Sequence, residues 1–200
     1  VPNTIGTAHL CVTVGDDALG TIMLSTIEKD GNLDTQNIVV AKNTSMSTCL
    51  VLVGPNGKRA FVSTRSTSND LTNAELVANS GLLNPANEGG ANHVHVSGLF
   101  STLGLQTENF LQVMKTAKKD SNFTFSLDTQ YDATGKWVGT ENIILDLIQL
   151  CDLFVPNHIE LCGIASAYRN DSDNKEPCND SDNKEPCNDT EIALRWLMEA

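Results

Sequence analysis

The sequence predicts an α/β fold with a doubly wound, mostly parallel sheet and a small inserted antiparallel β-sheet. Three observations predict it. Apolar runs rich in β-branched residues alternate with amphipathic helical patterns, first over residues 8–30 and then repeatedly from residue 91. A strong hairpin signal, Gly54-Pro55-Asn56-Gly57, separates two further strand patterns between these regions. Polar residues follow the predicted strands, at the edge where open α/β sheets usually bind ligands.

Composition narrows the classes of partner. A chain of 200 residues with 40% apolar residues can bury one sizeable core. Its net charge of −12 argues against a nucleic-acid partner and against an anionic membrane surface. No apolar run approaches the roughly 20 residues of a membrane span, so we expect no membrane partner. Anionic ligands such as nucleotides remain compatible with this charge, because a helix N-terminus can still bind phosphate.

Cysteine usage favours a cytoplasmic location. The first four cysteines lie in or beside apolar runs and are predicted to be buried free thiols, as in reduced cytosolic proteins. No C-x-x-C spacing and no secretory signal pattern occurs. The six cysteines are Cys11, Cys49, Cys151, Cys162, Cys178 and Cys187.

The first predicted unit is a strand over residues 8–14, an acidic turn Gly15-Asp16-Asp17 and a helix over residues 18–30. Short strands then follow at residues 38–40, 48–53 and 59–64. We expect these three strands to form a small antiparallel sheet, the β-lid, at about residues 35–72. It could act as a lid or a dimer clasp, or it could simply extend an edge of the main sheet.

From residue 72 the sequence pattern predicts a short helix over 73–79, followed by alternating strands and helices. The strand at 93–96 carries His93 and His95 on one face, a spacing that suits a metal but lacks a nearby third ligand, so packing or an exposed edge is favoured. Two further helices are predicted at 106–118 and 143–150. Two further strands are predicted: one at 123–127, which leads to Asp128, and one at 153–155, which ends at Pro156.

Asn157 and Glu160 follow that last strand, where a helix should begin. Because residues three apart share one face of a helix, the amide and the carboxylate could converge on one ligand. The alternative is a purely structural capping box, in which Asn157 caps the helix and Glu160 reaches back to it.

The chain becomes polar after Ala165. The unit NDSDNKEPC occupies residues 170–178 and repeats without change at 179–187. It does not fit a calcium loop, and its composition indicates a disordered insert over 166–189. We therefore divide the chain into a core at 1–165, this insert, and a last helix within 190–200.

Five short motifs occur in a fixed order along the chain. They are Val14-Gly15-Asp16-Asp17 with Gly20, the hairpin insert with Thr48, His95-Val96-Ser97-Gly98, Ser126-Leu127-Asp128-Thr129-Gln130, and Pro156-Asn157 with Glu160. In order and spacing they resemble those of ribokinase-like sugar kinases, also called the PfkB carbohydrate kinase family. The resemblance covers about residues 7–165 and resumes at the helix after the repeat.

The resemblance implies a three-layer α/β/α kinase that transfers the γ-phosphoryl group of ATP to a sugar hydroxyl, with Mg²⁺ neutralising charge. It implies that Asn157 and Asp128 contact the nucleotide and that Glu160 serves the magnesium. It places Gly98 near the sugar, and Arg65 where some relatives use a lid arginine. The β-lid could also form a homodimer.

Two features depart from the family pattern. Its N-terminal Gly-Gly-Asn sugar-binding segment should precede Ala8, and its G-A-G-D motif, which supplies the catalytic base and anion hole, does not occur. We therefore assign no catalytic base in this chain. Three hypotheses stay open: a fragment of a sugar kinase, a non-catalytic nucleotide- or partner-binding relative, and an unrelated α/β domain with an acidic interaction tail. An uncovered sheet edge would also make the isolated chain oligomeric or poorly soluble.

Overall fold

A computed structural model describes residues 8–29, 31, 33–72, 83, 87 and 90–168. The chain divides into two units, residues 1–81 and residues 82–200. The predicted helices at 73–79 and within 190–200, and the repeat at 170–187, lie outside the described residues.

The first unit contains two parallel strand pairs and one antiparallel hairpin. Its elements are β1 (Ala8–His9), β2 (Val12–Gly15), α1 (Ala18–Ile27), β3 (Leu33–Asp34), β4 (Ile38–Ala41), β5 (Cys49–Val53) and β6 (Arg59–Ser63). Strand β1 pairs with β3, and β2 pairs with β4, both in parallel. The hairpin pairs β5 with β6.

The structure corrects one assignment within the predicted antiparallel sheet. We expected the strand at 38–40 to belong to the β-lid, but β4 pairs in parallel with β2, in a register that runs from Val12–Ile38 to Gly15–Ala41. Strand β4 is therefore the partner of the first βα unit. The antiparallel sheet consists of β5 and β6 alone.

The acidic turn after β2 is packed closely enough to require its glycines. The Asp17 carboxylate accepts from the backbone N–H of Gly20 at 2.9 Å, which caps α1, and from that of Met46 at 2.9 Å. A Cβ on Gly15 would lie 2.2 Å from the Met46 nitrogen, and one on Gly20 would lie 1.9 Å from the Gly15 carbonyl oxygen. The pattern Gly-Asp-Asp-x-x-Gly thus builds a turn in which backbone touches backbone.

The β5–β6 hairpin leaves its apolar side chains exposed. Every residue of both strands is exposed, including Leu52, Val53 and Phe61. Cys49 is also exposed, so the prediction that it is buried is wrong, because in a two-stranded ribbon neither face is covered. Cys162 is buried as expected, whereas Cys11 and Cys151 are half-buried.

The second unit is a parallel sheet with helices. Its elements are β7 (His93–Ser97), α2 (Glu108–Asp120), β8 (Thr124–Asp128), α3 (Ile144–Leu150), β9 (Leu153–Phe154) and α4 (His158–Tyr168). The strand order is β7-β8-β9, with all neighbours parallel. Phe125, Ser126 and Leu127 of β8 are buried in succession, as expected for a strand covered on both faces.

Helix α2 starts two residues later than the helical pattern predicted. Thr107 caps it by accepting from the backbone N–H of Phe110 at 3.2 Å. Gln106 lies outside the helix and is buried, where its Nε2 donates to the Leu99 carbonyl at 2.8 Å and its Oε1 accepts from the Thr140 N–H at 3.0 Å. These bonds tie the chain after β7 to the segment before α3.

The two histidines of β7 form a hydrogen-bonded face with β8. The Ser126 hydroxyl lies 2.8 Å from His93 Nε2 and 2.7 Å from His95 Nδ1, while His93 Nδ1 lies 2.7 Å from Thr124 Oγ1. Both histidines are exposed, which agrees with the favoured prediction. The described residues contain no group of three or more metal-binding side chains, and no described helix is long and apolar enough to cross a membrane.

Candidate functional site

Four of the predicted site residues follow the strands of the second unit. The carboxyl ends of three parallel strands meet at one edge of the sheet, so Gly98 after β7, Asp128 at the end of β8, and Asn157 and Glu160 after β9 lie at that edge. The Gly98 N–H donates to the Asp128 carbonyl at 2.9 Å. We call these four residues the strand-end site.

Asn157 and Glu160 form a complete capping box at the start of α4. The backbone N–H of Glu160 donates to Asn157 Oδ1 at 3.0 Å, and the backbone N–H of Asn157 donates to Glu160 Oε2 at 3.0 Å. The Asn157 side-chain amide also donates to Glu160 Oε1 at 2.6 Å. The structural interpretation of this pair is therefore confirmed. A ligand role remains compatible with it, because each carboxylate oxygen keeps a second lone pair.

The Glu160 carboxyl group lies in an environment that resists its ionisation. The side chain is only 5% exposed, and burial raises its pKa above the usual range. The hydrogen bond from the Asn157 backbone opposes this increase, whereas the charge of Asp128 adds to it. Two carboxylates thus repel each other at the strand-end site, and a cation near both would relieve that repulsion.

Gly98 and Gln130 meet at this edge. Gly98 has a φ of +75°, a left-handed conformation that favours glycine. A Cβ there would lie 3.2 Å from Gln130 Oε1. Gln130 also has a positive φ of +58°, and its N–H donates to Asp128 Oδ1 at 2.9 Å. The amide of Gln130 therefore lies beside the predicted sugar-binding glycine, a position that its place in the motif does not predict.

The structure adds a buried hydroxyl next to Asp128. Thr129 is fully buried, and its Oγ1 has no hydrogen-bond partner among the described residues. A buried hydroxyl without a partner is unfavourable. Nothing in the local pattern Asp128-Thr129-Gln130 distinguishes this threonine from an exposed turn residue, so its burial cannot be predicted from the sequence.

Arg65 belongs to the first unit. It follows β6 and is half-buried. The other predicted site residues all lie in the second unit. The contribution of Arg65 to a substrate site therefore stays a prediction.

The donor set at the strand-end site suits a magnesium–nucleotide complex. Mg²⁺ prefers oxygen ligands and is usually bound by one or two carboxylates together with substrate phosphates. Glu160 would supply such a carboxylate at the start of α4. Asn157 and Asp128 would contact the nucleotide. When bound, Mg²⁺ would neutralise charge on the transferred phosphoryl group.

Comparison with known proteins gives a family match. Residues 3–178 match the model of the pfkB family carbohydrate kinases. No curated protein sequence matches the chain significantly.

Solved structures with the same fold include several kinases. Ribokinase from Giardia lamblia is similar with a TM-score of 0.62 and 18% identity, over 82% of this chain and 46% of that protein. A candidate ribokinase II from E. coli in complex with ATP and Mg²⁺ has a TM-score of 0.62 and 16% identity, over 96% and 53%. Adenosine kinase from Anopheles gambiae, in complex with P1,P4-di(adenosine-5) tetraphosphate, has a TM-score of 0.58 and 23% identity, over 80% and 44%. The chain thus spans about half the length of these proteins, and the ribokinase-like α/β fold predicted from the sequence is confirmed.

Proposed function

The chain belongs to the pfkB family of carbohydrate kinases, and we propose that it takes part in transferring the γ-phosphoryl group of ATP to a sugar hydroxyl. The observation that carries this proposal is the strand-end site, where the capping box of Asn157 and Glu160 starts a helix beside Asp128. The similar E. coli protein solved with ATP and Mg²⁺ supports the same nucleotide.

Each residue has a distinct part in the proposed reaction. Glu160 holds the magnesium, and Asn157 and Asp128 contact the nucleotide. Gly98 leaves room for the sugar beside Gln130. Arg65, which follows β6 in the first unit, is proposed as a substrate contact. Phosphoryl transfer depends mainly on positioning and on charge neutralisation, which are the tasks assigned to these side chains. Removal of the proton from the sugar hydroxyl is assigned to none of them.

A binding experiment on the whole chain tests the nucleotide site. Calorimetry would measure ATP affinity with and without Mg²⁺ for the wild type and for Glu160→Gln. We expect Mg²⁺ to tighten ATP binding in the wild type, and we expect Glu160→Gln to lose most of that gain while it still binds ATP alone. Glu141→Gln is the matched control, because Glu141 also accepts from a backbone N–H at a helix start, that of Glu108 at 2.6 Å. The same magnesium effect in all three proteins, or no binding at millimolar nucleotide, would contradict the proposal.

A second candidate is a relative that binds nucleotide or a partner without catalysis, because none of the residues assigned at the strand-end site removes the proton of the sugar hydroxyl. A phosphoryl-transfer assay with a panel of sugars separates the two functions. Magnesium-dependent ATP binding without any phosphorylated sugar would support the non-catalytic relative.

We also propose that the exposed β5–β6 hairpin forms a homodimer. Exposed apolar strands are prone to pair with another chain, and Phe61 and Val62 are 60% and 61% exposed. Light scattering should show a dimer that Phe61→Ser with Val62→Ser converts to a monomer. Equal masses for both proteins would refute this assembly.

A cytoplasmic location fits the free cysteines of the described residues.

A further inference from the structure

The loop between β8 and α3 has an unusual backbone. Over residues 129–143, φ is positive at Gln130, Gly135, Trp137, Gly139 and Asn142. Trp137 has a φ of +61°, a left-handed conformation that is rare and strained for a bulky residue. Such a conformation persists only where its surroundings hold it. We call this segment the 129–143 loop.

A buried carboxylate organises the loop from inside. Asp132 is 4% exposed. Its Oδ2 accepts from the Trp137 N–H at 2.7 Å, and its Oδ1 accepts from the Thr134 N–H at 2.8 Å. The Thr134 hydroxyl lies 2.8 Å from both carboxylate oxygens. The bond to the Trp137 N–H holds the backbone at the residue whose conformation is least favourable.

The indole of Trp137 connects the loop to helix α4. Its ring meets Phe100 and Tyr131 edge-on, at centroid distances of 5.7 and 5.3 Å. On its remaining side it lies against Gly163, where an added Cβ would approach the ring atom Cε2 to 2.4 Å. A second contact joins the same two elements, because the Tyr168 hydroxyl donates to the Val138 carbonyl at 3.3 Å.

The contacts between the 129–143 loop and α4 affect the distance between Asp128 and Glu160 in the strand-end site. Asn157 and Glu160 are bonded to each other within the first turn of α4, so they move with that helix. Asp128 belongs to β8, and the 129–143 loop begins directly after it. The separation of Asp128 and Glu160 therefore depends on how α4 is placed against β8. The pairing of β8 with β9 restrains the start of α4, and the loop adds a second restraint through its contacts with Gly163 and Tyr168.

We propose that Trp137, held by Asp132, is a positioning residue that sets Glu160 and Asn157 at the correct distance from Asp128 for magnesium–nucleotide binding. This inference rests on the proposed function of the strand-end site. Metal and phosphate ligands must be held within about 0.5 Å of their productive geometry, so a small shift of α4 changes binding without touching any ligand residue.

The test compares Trp137→Leu and Trp137→Phe with Met114→Ala. Met114 is a buried core residue of α2 in the same unit and lies outside the 129–143 loop in sequence, so its truncation controls for a general loss of core packing. In folded protein at low temperature, we expect Trp137→Leu to reduce the magnesium-dependent gain in ATP affinity about tenfold. Trp137→Phe should retain most of the magnesium-dependent gain in ATP affinity, and Met114→Ala should retain all of it. A wild-type magnesium gain in Trp137→Leu would overturn the inference.

A nucleotide-free measurement separates this inference from the proposed function. Crystal structures of the same proteins would give the distance between Asp128 Cγ and Glu160 Cδ. We expect a change of at least about 0.5 Å in Trp137→Leu and none in Met114→Ala. An unchanged distance in Trp137→Leu would refute the positioning role. If the wild type binds no magnesium–nucleotide but the distance still changes, the proposed function fails while the structural role stands.

Discussion

Substituting Gly163 with alanine sets two opposite effects against each other. In a helix interior, alanine is favoured over glycine by about 1 kcal/mol. At this position, however, the new Cβ would lie 2.4, 2.5 and 2.7 Å from three atoms of the Trp137 ring. Real Cβ atoms essentially never show contacts under 3.0 Å, so either the ring or the helix must move.

The ring cannot move at low cost, because edge-on contacts with two aromatic rings and the hydrogen bond that the Trp137 N–H donates to Asp132 hold it. Overpacking of a filled core usually costs about 1–3 kcal/mol, and the number of close ring atoms places Gly163→Ala in the upper part of that range. After subtraction of the helix-propensity gain, we expect a net loss of about 1–2 kcal/mol in the free energy of unfolding.

Urea unfolding of the whole chain measures this difference. Ser166→Ala is the control, because Ser166 is an exposed residue of α4 and should gain a few tenths of a kcal/mol from propensity alone. The double variant Gly163→Ala with Trp137→Leu should recover much of the loss, since the smaller side chain relieves the clash. A Gly163→Ala variant as stable as the wild type, with no coupling to Trp137, would refute the packing described here.

Three further predictions concern stability. Gly20→Ala should lower the free energy of unfolding by more than about 2 kcal/mol in a urea titration, because its Cβ meets the Gly15 carbonyl at 1.9 Å; a loss below 1 kcal/mol would contradict this. Asp152, whose pKa is lowered mainly by the bond from Lys118 at 2.6 Å, should stabilise the fold by about 1 kcal/mol above pH 4, and the stability lost by Asp152→Asn should vanish as the pH falls through the lowered pKa. Glu160 has a raised pKa, so the wild type should lose stability as the pH rises from about 4.3 through that pKa; thermal melts of Glu160→Gln should be flat over the same window, and parallel profiles would exclude this ionisation as the cause.

Local sequence patterns are sufficient to predict most of the secondary-structure elements and part of the strand-end site. Strand β8 lies within one residue of its predicted bounds at each end, and helix α4 begins directly after Asn157, where the sequence predicts a helix start. The spacing of Asn157 and Glu160 predicted a capping box, and the hydrogen bonds confirm it. Both depend on residues at most a few positions apart, where side-chain chemistry determines the structure directly.

Contacts between distant residues could not be predicted in this way. The pattern at residues 38–40 correctly indicated a strand, but whether that strand pairs in parallel with β2 or antiparallel with β5 depends on the path of the chain. The contact between Trp137 and Gly163 joins a loop without periodicity to a helix face, and its left-handed backbone occurs at a residue type that gives no such signal.

The capping box also bears on how the site assembles as the chain folds. Closing a contact costs entropy that grows with the length of chain between its ends. Asn157 and Glu160 are three residues apart, whereas Ser126 and Leu153, which pair β8 with β9, are separated by 27. The turn that orients Glu160 can therefore form on the time scale of a single helix. The slower step is the docking of this turn beside Asp128, because docking requires that β8 and β9 have already paired.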